Sequence, residues 1–438
     1  MSKIRTNYNK MEMSEDKKQL TFIDLFAGLG GFHQALESLG HKCVFASELN
    51  DDLRDLYELN FGLKCHGDIN LIEVKNIKNH DIICAGFPCQ PFSKAGKQNG
   101  LNDAKNGNFF YKIMEIADYH NPEYIILENV PNLKSHDNGK TWLHMKEILE
   151  KKYEVCETIL SPHLFGIPQH RSRIYIVCRL KNYGGLMNFE FPKGDKNDVS
   201  IHSIINAPSK DDVFLKVESL THLKVWQKFL NNLKPEEVPG FPIWAMEFGA
   251  DYPFEDIAPI NLKPMDFKNK KGTFGSKIIG HNIDEILEQL PTYARTDQRE
   301  FPVWKKNYIR RNREFYKKNK IWIDKWLPQI KVFENSHQKF EWNCGVKNEL
   351  IINDKIVQFR PSGIRVKKPT FSPALVLSST QIPIFPWLGR YMTKREAAKL
   401  QGMEKLKHIP ATTPKAFRAF GNAVNVIVVK NIVTNLIK

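Results

Sequence analysis

From residue 20 onward the chain alternates short apolar runs rich in β-formers with segments of helical periodicity. Residues 20–26 precede a helical pattern over 32–39, and 42–46 precede 51–59. In the same way 81–85 precede 108–119, and 124–127 precede 139–151. Strand regularly followed by helix predicts a parallel sheet. The strands are nearly continuous in apolar residues, as in Ile82-Ile83-Cys84-Ala85 and Ile125-Ile126-Leu127. That is the pattern of strands covered by helices on both faces. The expected class is α/β, a doubly wound, mostly parallel sheet. Another apolar strand is predicted over 174–178, a helix over 394–401, and a single helix over 414–437.

A length of 438 residues is two to three times the ~150 usual for one domain, so two units are expected. The net charge of +15 is unevenly placed. Residues 1–195 carry 24 basic and 25 acidic side chains, whereas residues 196–438 carry 40 and 24. A neutral half joined to a half that meets phosphate fits this asymmetry better than a general solubility charge. The seven cysteines (Cys43, Cys65, Cys84, Cys89, Cys156, Cys178, Cys344) are scattered, with no CxxC pair. Neither a disulfide framework nor a zinc ribbon is expected, no metal is expected, and a reducing cytoplasm is the expected location. The first twenty residues lack an apolar signal region, and no apolar stretch of membrane-spanning length is evident, so no membrane partner is expected.

In doubly wound domains ligands collect at the carboxyl ends of the strands. There the first strand runs into Ala27-Gly28-Leu29-Gly30-Gly31, a turn through which the backbone can approach a ligand closely. A bland tight turn would look the same, but Glu48, closing the second strand, is placed to take ribose hydroxyls. An adenosine-containing cofactor is favoured. The turn is not GxGxxG and no Walker lysine follows, so dinucleotides and nucleoside triphosphates fit less well. Asp68-Ile69, at the end of the third strand, offers a carboxylate to an adenine amino group or is a plain surface turn. The fourth strand leads into Gly86-Phe87-Pro88-Cys89-Gln90-Pro91, which holds a cysteine on a stiff turn. A free cysteine is often only a small buried hydrophobe. Glu128, ending the fifth strand, puts a carboxylate at the same sheet edge, where burial would favour the protonated form needed to donate to a ring nitrogen. Arg171 and Arg173, alternating along an extended segment, could hold that carboxylate and polarise a carbonyl, or be surface ion pairs.

These residues form an ordered set. Asp24-Leu25-Phe26-Ala27-Gly28-x-Gly30-Gly31, Gly86-x-Pro88-Cys89-Gln90-x-Phe92-Ser93 and Glu128-Asn129-Val130 are followed by Gln169-x-Arg171-x-Arg173. Arg395-Glu396-Ala397-Ala398-x-Leu400-Gln401 and Gly421-Asn422-Ala423-Val424 complete it. The set resembles the motifs of the DNA (cytosine-5)-methyltransferases from residue 20 to about 430, sparing the basic middle segment. The resemblance implies a Rossmann-like methyltransferase domain (1–195 plus 412–438) with an inserted smaller target-recognition domain (196–411). It implies S-adenosylmethionine as methyl donor, S-adenosylhomocysteine as product, and Cys89 as the nucleophile that adds to carbon 6 of cytosine. Glu128 would hold N3 and the exocyclic amine, Arg173 the O2 side, and Arg171 would brace the site. Cofactor contacts implied are Asp24, Phe26 stacked on adenine, Gly28, Gly30, Gly31, Glu48, Asp68, Ile69, Pro88, Asn422 and Val424. Ala419 and Ala423 stand where glutamine and serine are usual in the last motif, which bears on side-chain contacts from that segment.

Carbon 6 lies inside the base stack, so the cytosine must be rotated out of the duplex. Residues 91–107, flexible in composition and basic, would close over the nucleic acid. Gln90, Ser93, Lys94 and Lys97 there, with Arg310, Arg311, Arg313 and Arg365 in the basic half, are the expected DNA contacts. Residues 304–326 hold nine lysines and arginines among six aromatic residues. That pattern suits phosphate contact or an amphipathic helix packing its aromatics. The expected partners are double-stranded DNA and a cognate restriction endonuclease acting on the same site, with the protein a monomer. Rivals are an RNA (tRNA) cytosine-5 methyltransferase of similar fold, a non-catalytic DNA-binding relative, and a dinucleotide oxidoreductase.

Overall fold

The computed structural model describes residues 18–88, 108–194, 198–375 and 381–437. By its contacts the chain divides into two compact units. The first comprises the described residues of Met1–Leu160, Ser172–Lys193 and Ala423–Lys438, and the second Ser161–Arg171 and Gly194–Asn422.

Seven strands build the first unit: β1 (Thr21–Leu25), β2 (Lys42–Ser47), β3 (Cys65–His66), β4 (Ile82–Ala85), β5 (Tyr124–Asn129), β6 (Tyr153–Leu160) and β7 (Arg173–Leu180). Their order is β3-β2-β1-β4-β5-β7-β6. The first five run parallel, and β7 is antiparallel to both β5 and β6. The helices are α1 (Gly31–Glu37), α2 (Asp51–Phe61), α3 (Asn108–His120), α4 (Asn132–Ser135) and α5 (Lys140–Glu150). α2 illustrates how local sequence sets these boundaries. The Asn50 side chain accepts from the Leu53 amide, Asp51 and Asp52 sit in the first turn, and Gly62 closes the helix in the left-handed region at φ 64°. All residues of β4 and β5 are buried, including the polar Glu128 and Asn129 that end β5 after its apolar run. The edge strand β6 has no counterpart in the sequence reading. Glu154, Glu157 and Thr158 interrupt its apolar residues, a composition an edge strand tolerates.

The second unit holds a six-stranded sheet in the order β13-β12-β10-β11-β9-β8. Its strands are β8 (Ile243–Trp244), β9 (Lys339–Asn343), β10 (Ile356–Arg360), β11 (Gly363–Lys367), β12 (Ile384–Phe385) and β13 (Arg390–Tyr391). With them go α6 (Val217–Leu230), α7 (Ile283–Leu287), the long α8 (Val303–Ile330), α9 (Lys394–Lys399) and α10 (Thr413–Asn422). Trp226, Phe229, Trp326 and Phe340 centre one core, the Trp226 and Phe340 rings stacked 4.7 Å apart. Segments 161–171 and 413–422, expected with the first domain, make their contacts in the second unit. The Ser372 amide donates to the Pro168 carbonyl, Gln401 to the Gln169 side chain, and Arg171 to the Gly421 carbonyl.

The helix expected over 414–437 is two helices. Asn425 breaks it by capping α11 (Val426–Leu436), its side chain accepting from the Ile427 and Val428 amides. Residues Thr413–Leu436 are long and apolar enough to cross a membrane by length and composition, contrary to the expectation of no such stretch. Most of the stretch is buried within the protein, and α11 lies against α1 in the first unit.

Candidate active site

The carboxyl end of β1 turns through three left-handed residues, Phe26 (φ 57°), Gly28 (φ 54°) and Gly30 (φ 75°). A phenylalanine in this region is uncommon and costs energy, which places strain where a ligand would sit. Its half-buried ring lies edge-on to Phe109, centroids 5.0 Å apart. Glycine is required at two of the turn's positions. A Cβ on Gly30 would fall 2.4 Å from the Phe61 ring, and one on Gly31 would fall 2.4 Å from the Val424 carbonyl oxygen. At Gly28 nothing lies within 4 Å, so the backbone there opens onto free space. Glu48 fixes this turn from the end of β2: one carboxylate oxygen accepts from the Gly28 amide at 3.0 Å, the other from the Asn50 amide at 2.9 Å. Its remaining lone pairs can still accept from hydroxyl groups.

Beneath the turn lies a buried polar cluster that joins Asp24 to groups from α1, α2 and β2. Asp24, expected among the cofactor contacts, is fully buried, and its Oδ2 accepts the His33 amide in α1 at 3.3 Å. It supports the turn from below, and burial holds its carboxyl well above the usual range. His33 Nδ1 and the Tyr57 hydroxyl lie 2.6 Å apart, and burial pushes the His33 pKa down to about 4. The Cys43 thiol beside Tyr57 is pushed up to about 12 by the same burial.

Asp68 follows the two-residue β3, and its Oδ1 accepts from the Asn70 amide at 3.0 Å, capping the turn Ile69–Leu71. Ile69 is buried and Pro88 half-buried. Val424 packs so closely on Gly86 that a Cβ there would stand 2.8 Å from its Cγ2. Asn422, exposed at the end of α10, belongs to the second unit.

The second cluster follows from strand register. Glu128 on β5 stands opposite Tyr175 on β7, so Arg173, two residues away, is its diagonal neighbour on the same face. The Arg173 Nε reaches the Glu128 carboxylate at 3.2 Å, with the two side chains 19% and 8% exposed. The same carboxylate lies 3.9 Å from where a Gly86 Cβ would be, at the mouth of β4. Asn129, for which the sequence suggested no role, donates from Nδ2 to the Phe87 carbonyl at 3.3 Å and ties the strand end to the turn that follows β4. Its place in Glu128-Asn129-Val130 was the available signal. Arg171, expected with this group, is buried in the second unit on Gly421.

Cys89, Gln90, Ser93, Lys94 and Lys97 lie outside the described residues. Among the other expected DNA contacts, Arg313 requires correction. Its Nε donates to the fully buried Glu247 at 2.9 Å, its Nη1 to the Tyr252 carbonyl, and its guanidinium lies over the Tyr252 and Phe254 rings. This arginine neutralises an interior carboxylate and is mostly withdrawn from solvent. Arg310 is exposed and paired with Glu255 at 2.8 Å, Arg365 shares Glu341 with Arg360, and Arg311 is exposed near the Phe241 ring.

A seven-stranded doubly wound sheet with one strand reversed, a glycine turn facing open space, and a carboxylate at the end of its second strand together define a Rossmann-like α/β domain with its ligand edge at that turn. Comparison with known proteins narrows the class. The family profile of the C-5 cytosine-specific DNA methylases matches residues 20–438, and the chain belongs to that family. It is similar to the type II methyltransferase M.AluI of Cellulosimicrobium cellulans, 29% identical over 96% of this chain and 92% of that protein. It is 47% identical to the type II methyltransferase M.HhaI of Haemophilus parahaemolyticus over 180 residues, 40% of this chain and 54% of that protein. Among solved structures it resembles the Entamoeba histolytica methyltransferase EhMeth, at a TM-score of 0.52, 18% identity, and coverage of 96% and 98% of the two chains. The chain is thus a DNA (cytosine-5)-methyltransferase by family.

Proposed function

We propose that this protein transfers a methyl group from S-adenosylmethionine to carbon 5 of a cytosine flipped out of a short specific sequence in duplex DNA, as the modification enzyme of a restriction-modification system. The observation that carries this reading is the Glu128–Arg173 pair, whose Glu128 carboxylate lies 3.9 Å from where a Cβ on Gly86 would stand, Gly86 being three residues before Cys89. Those three residues span at most about 11 Å of extended chain.

The residues around Gly28 suit the donor. Gly28 leaves room for close backbone approach, Glu48 has acceptor capacity for ribose hydroxyls, and the Phe26 ring offers an apolar face to adenine. S-adenosylmethionine, when bound, supplies an electrophilic methyl on a sulfonium sulfur.

Carbon 5 of cytosine is too weak a nucleophile to take that methyl unaided. The Cys89 thiolate adds to carbon 6, and the electron pair displaced from the 5,6 double bond makes carbon 5 nucleophilic. Glu128 donates a proton to N3 as the negative charge develops and holds the exocyclic amine. Arg173 fixes the Glu128 carboxyl and faces the O2 side. After carbon 5 has bonded to the methyl carbon, loss of the C5 proton to a base, expulsion of the Cys89 sulfur as thiolate and return of the N3 proton to the Glu128 carboxylate restore the aromatic ring. The products are 5-methylcytosine and S-adenosylhomocysteine.

The test is incubation with labelled S-adenosylmethionine and either plasmid DNA or tRNA, followed by bisulfite sequencing of the DNA. Label in plasmid DNA at one recurrent short sequence is expected. Label confined to tRNA would replace this reading with the RNA one.

A further inference from the structure

We infer that the solvent-facing stripe Trp304, Arg311, Lys318 and Lys325 on α8 binds the sugar-phosphate backbone of duplex DNA. This deepens the methyltransferase reading and rests on it.

The nine cations of residues 304–326 are not equivalent once folded. Lys305 is buried with its Nζ 3.8 Å from the centre of the Phe301 ring. Lys306 pairs with Glu300 at 3.3 Å, Arg310 with Glu255, Arg313 with Glu247, and Lys320 with Asp324 at 2.5 Å. Five cations are therefore spent within the protein. Arg311, Lys317, Lys318 and Lys325 are exposed and, among the described residues, have no acidic partner.

Three of these four lie at seven-residue spacing, and Trp304, 56% exposed, begins the same series. Seven residues fall about 20° short of two helical turns, so the series drifts only about 60° over its length and stays on one side of the helix. At 1.5 Å per residue the three cations span about 21 Å. The opposite side of α8, with Ile309, Asn312, Ile323, Trp326 and Leu327, is buried. The helix is thus anchored through its apolar face and presents a row of cations that, among the described residues, enter no ion pair.

B-DNA carries one negative charge per ~1.7 Å of axis, so a cation row of this length faces many phosphates with no demand on sequence. An exposed tryptophan at one end adds a flat apolar surface for sugar or base. Glu314, exposed three residues beyond Arg311, borders the stripe and opposes it.

The experiment measures the salt dependence of binding to a duplex containing the methylated sequence, by fluorescence anisotropy on the full-length protein. Neutralising three phosphate contacts lowers the slope of log K against log salt by about 2.7. The variant R311Q/K318Q/K325Q is expected to lose most of that slope and to bind at least tenfold more weakly at moderate salt, with its KM for S-adenosylmethionine and its target sequence unchanged. The control K42Q/K64Q/K78Q removes the same charge from exposed lysines near the amino ends of β2, β3 and β4, opposite the ligand-binding edge, and is expected to keep the parental slope. E314Q is expected to steepen it. An unchanged slope in the stripe variant, an equal loss in the control, or a loss seen with structured RNA and not with DNA would each overturn the proposal. A parental protein that methylates no DNA would instead overturn the methyltransferase reading.

Discussion

The chemistry at residue scale rests on two carboxylates doing different work. Glu128 is buried against Arg173 and has the proton role, so Glu128→Gln is expected to lower single-turnover methylation by roughly 10²- to 10⁴-fold while donor binding by calorimetry is unchanged. Glu48 holds two backbone amides and has acceptor capacity left for a ribose. Removing charged hydrogen bonds of this kind costs about 1.5–3 kcal/mol, so Glu48→Ala should weaken S-adenosylmethionine binding roughly 10- to 100-fold. A donor affinity within twofold of the parent would remove Glu48 from the cofactor site. Both carboxylates were legible in the sequence, because each follows an apolar strand that the pattern identifies. Asp24 was legible as part of a motif, and the structure adds that it is buried beneath the turn on the His33 amide. Its neighbours His33 and Tyr57 come from α1 and α2, and no local pattern announces that three polar groups meet beneath one turn.

At the scale of elements, α8 has one side that holds the second unit together and one that faces solvent. The mixture of aromatics and cations over 304–326 left an amphipathic helix as one of two readings, but the fate of each cation depends on acids far along the chain, such as Glu247 and Glu255. Sequence reading therefore could not separate Arg313 from Arg311. Glu247 is fully buried and also accepts from the Tyr252 and Tyr293 hydroxyls, so Arg313→Met strands a charge in the interior. Losing one member of such a pair costs about 3–5 kcal/mol, expected as a lower urea midpoint by tryptophan fluorescence, since seven of the eight tryptophans belong to the second unit. A midpoint equal to the parent's would show that the network is not structural. The break at Asn425 was similarly hidden, because apolar periodicity runs on through residues 423–425 while a single capping side chain restarts the helix.

Over the whole molecule, the uneven charge was legible from composition alone, and the parallel direction of the strands was foreshadowed by the strand-helix alternation up to β5. The reversed β7 was not, because direction is set by pairing rather than by pattern. Stability should depend on pH through the first unit. Burial holds His33 and His80 at about 4, below the ~6.5 of an unfolded histidine. Between those values the unfolded chain binds protons that the folded one refuses, so the contribution of these two histidines is complete above about pH 6.5 and is lost as pH drops toward 4. Asp24, whose carboxyl is raised by burial, acts in the opposite direction. The loss by pH 5 is roughly 2 kcal/mol per histidine, read as a shift in urea midpoint, and His80→Gln should make that shift smaller than the parent's. The central claim, covalent catalysis on an extruded cytosine, meets its most direct trial in a duplex carrying 5-fluorocytosine at the methylated position. With S-adenosylmethionine present, mass spectrometry should find a stable protein–DNA adduct on the Cys89 peptide, because fluorine cannot leave as the C5 proton does. Absence of the adduct, or its appearance on another residue, would contradict the account.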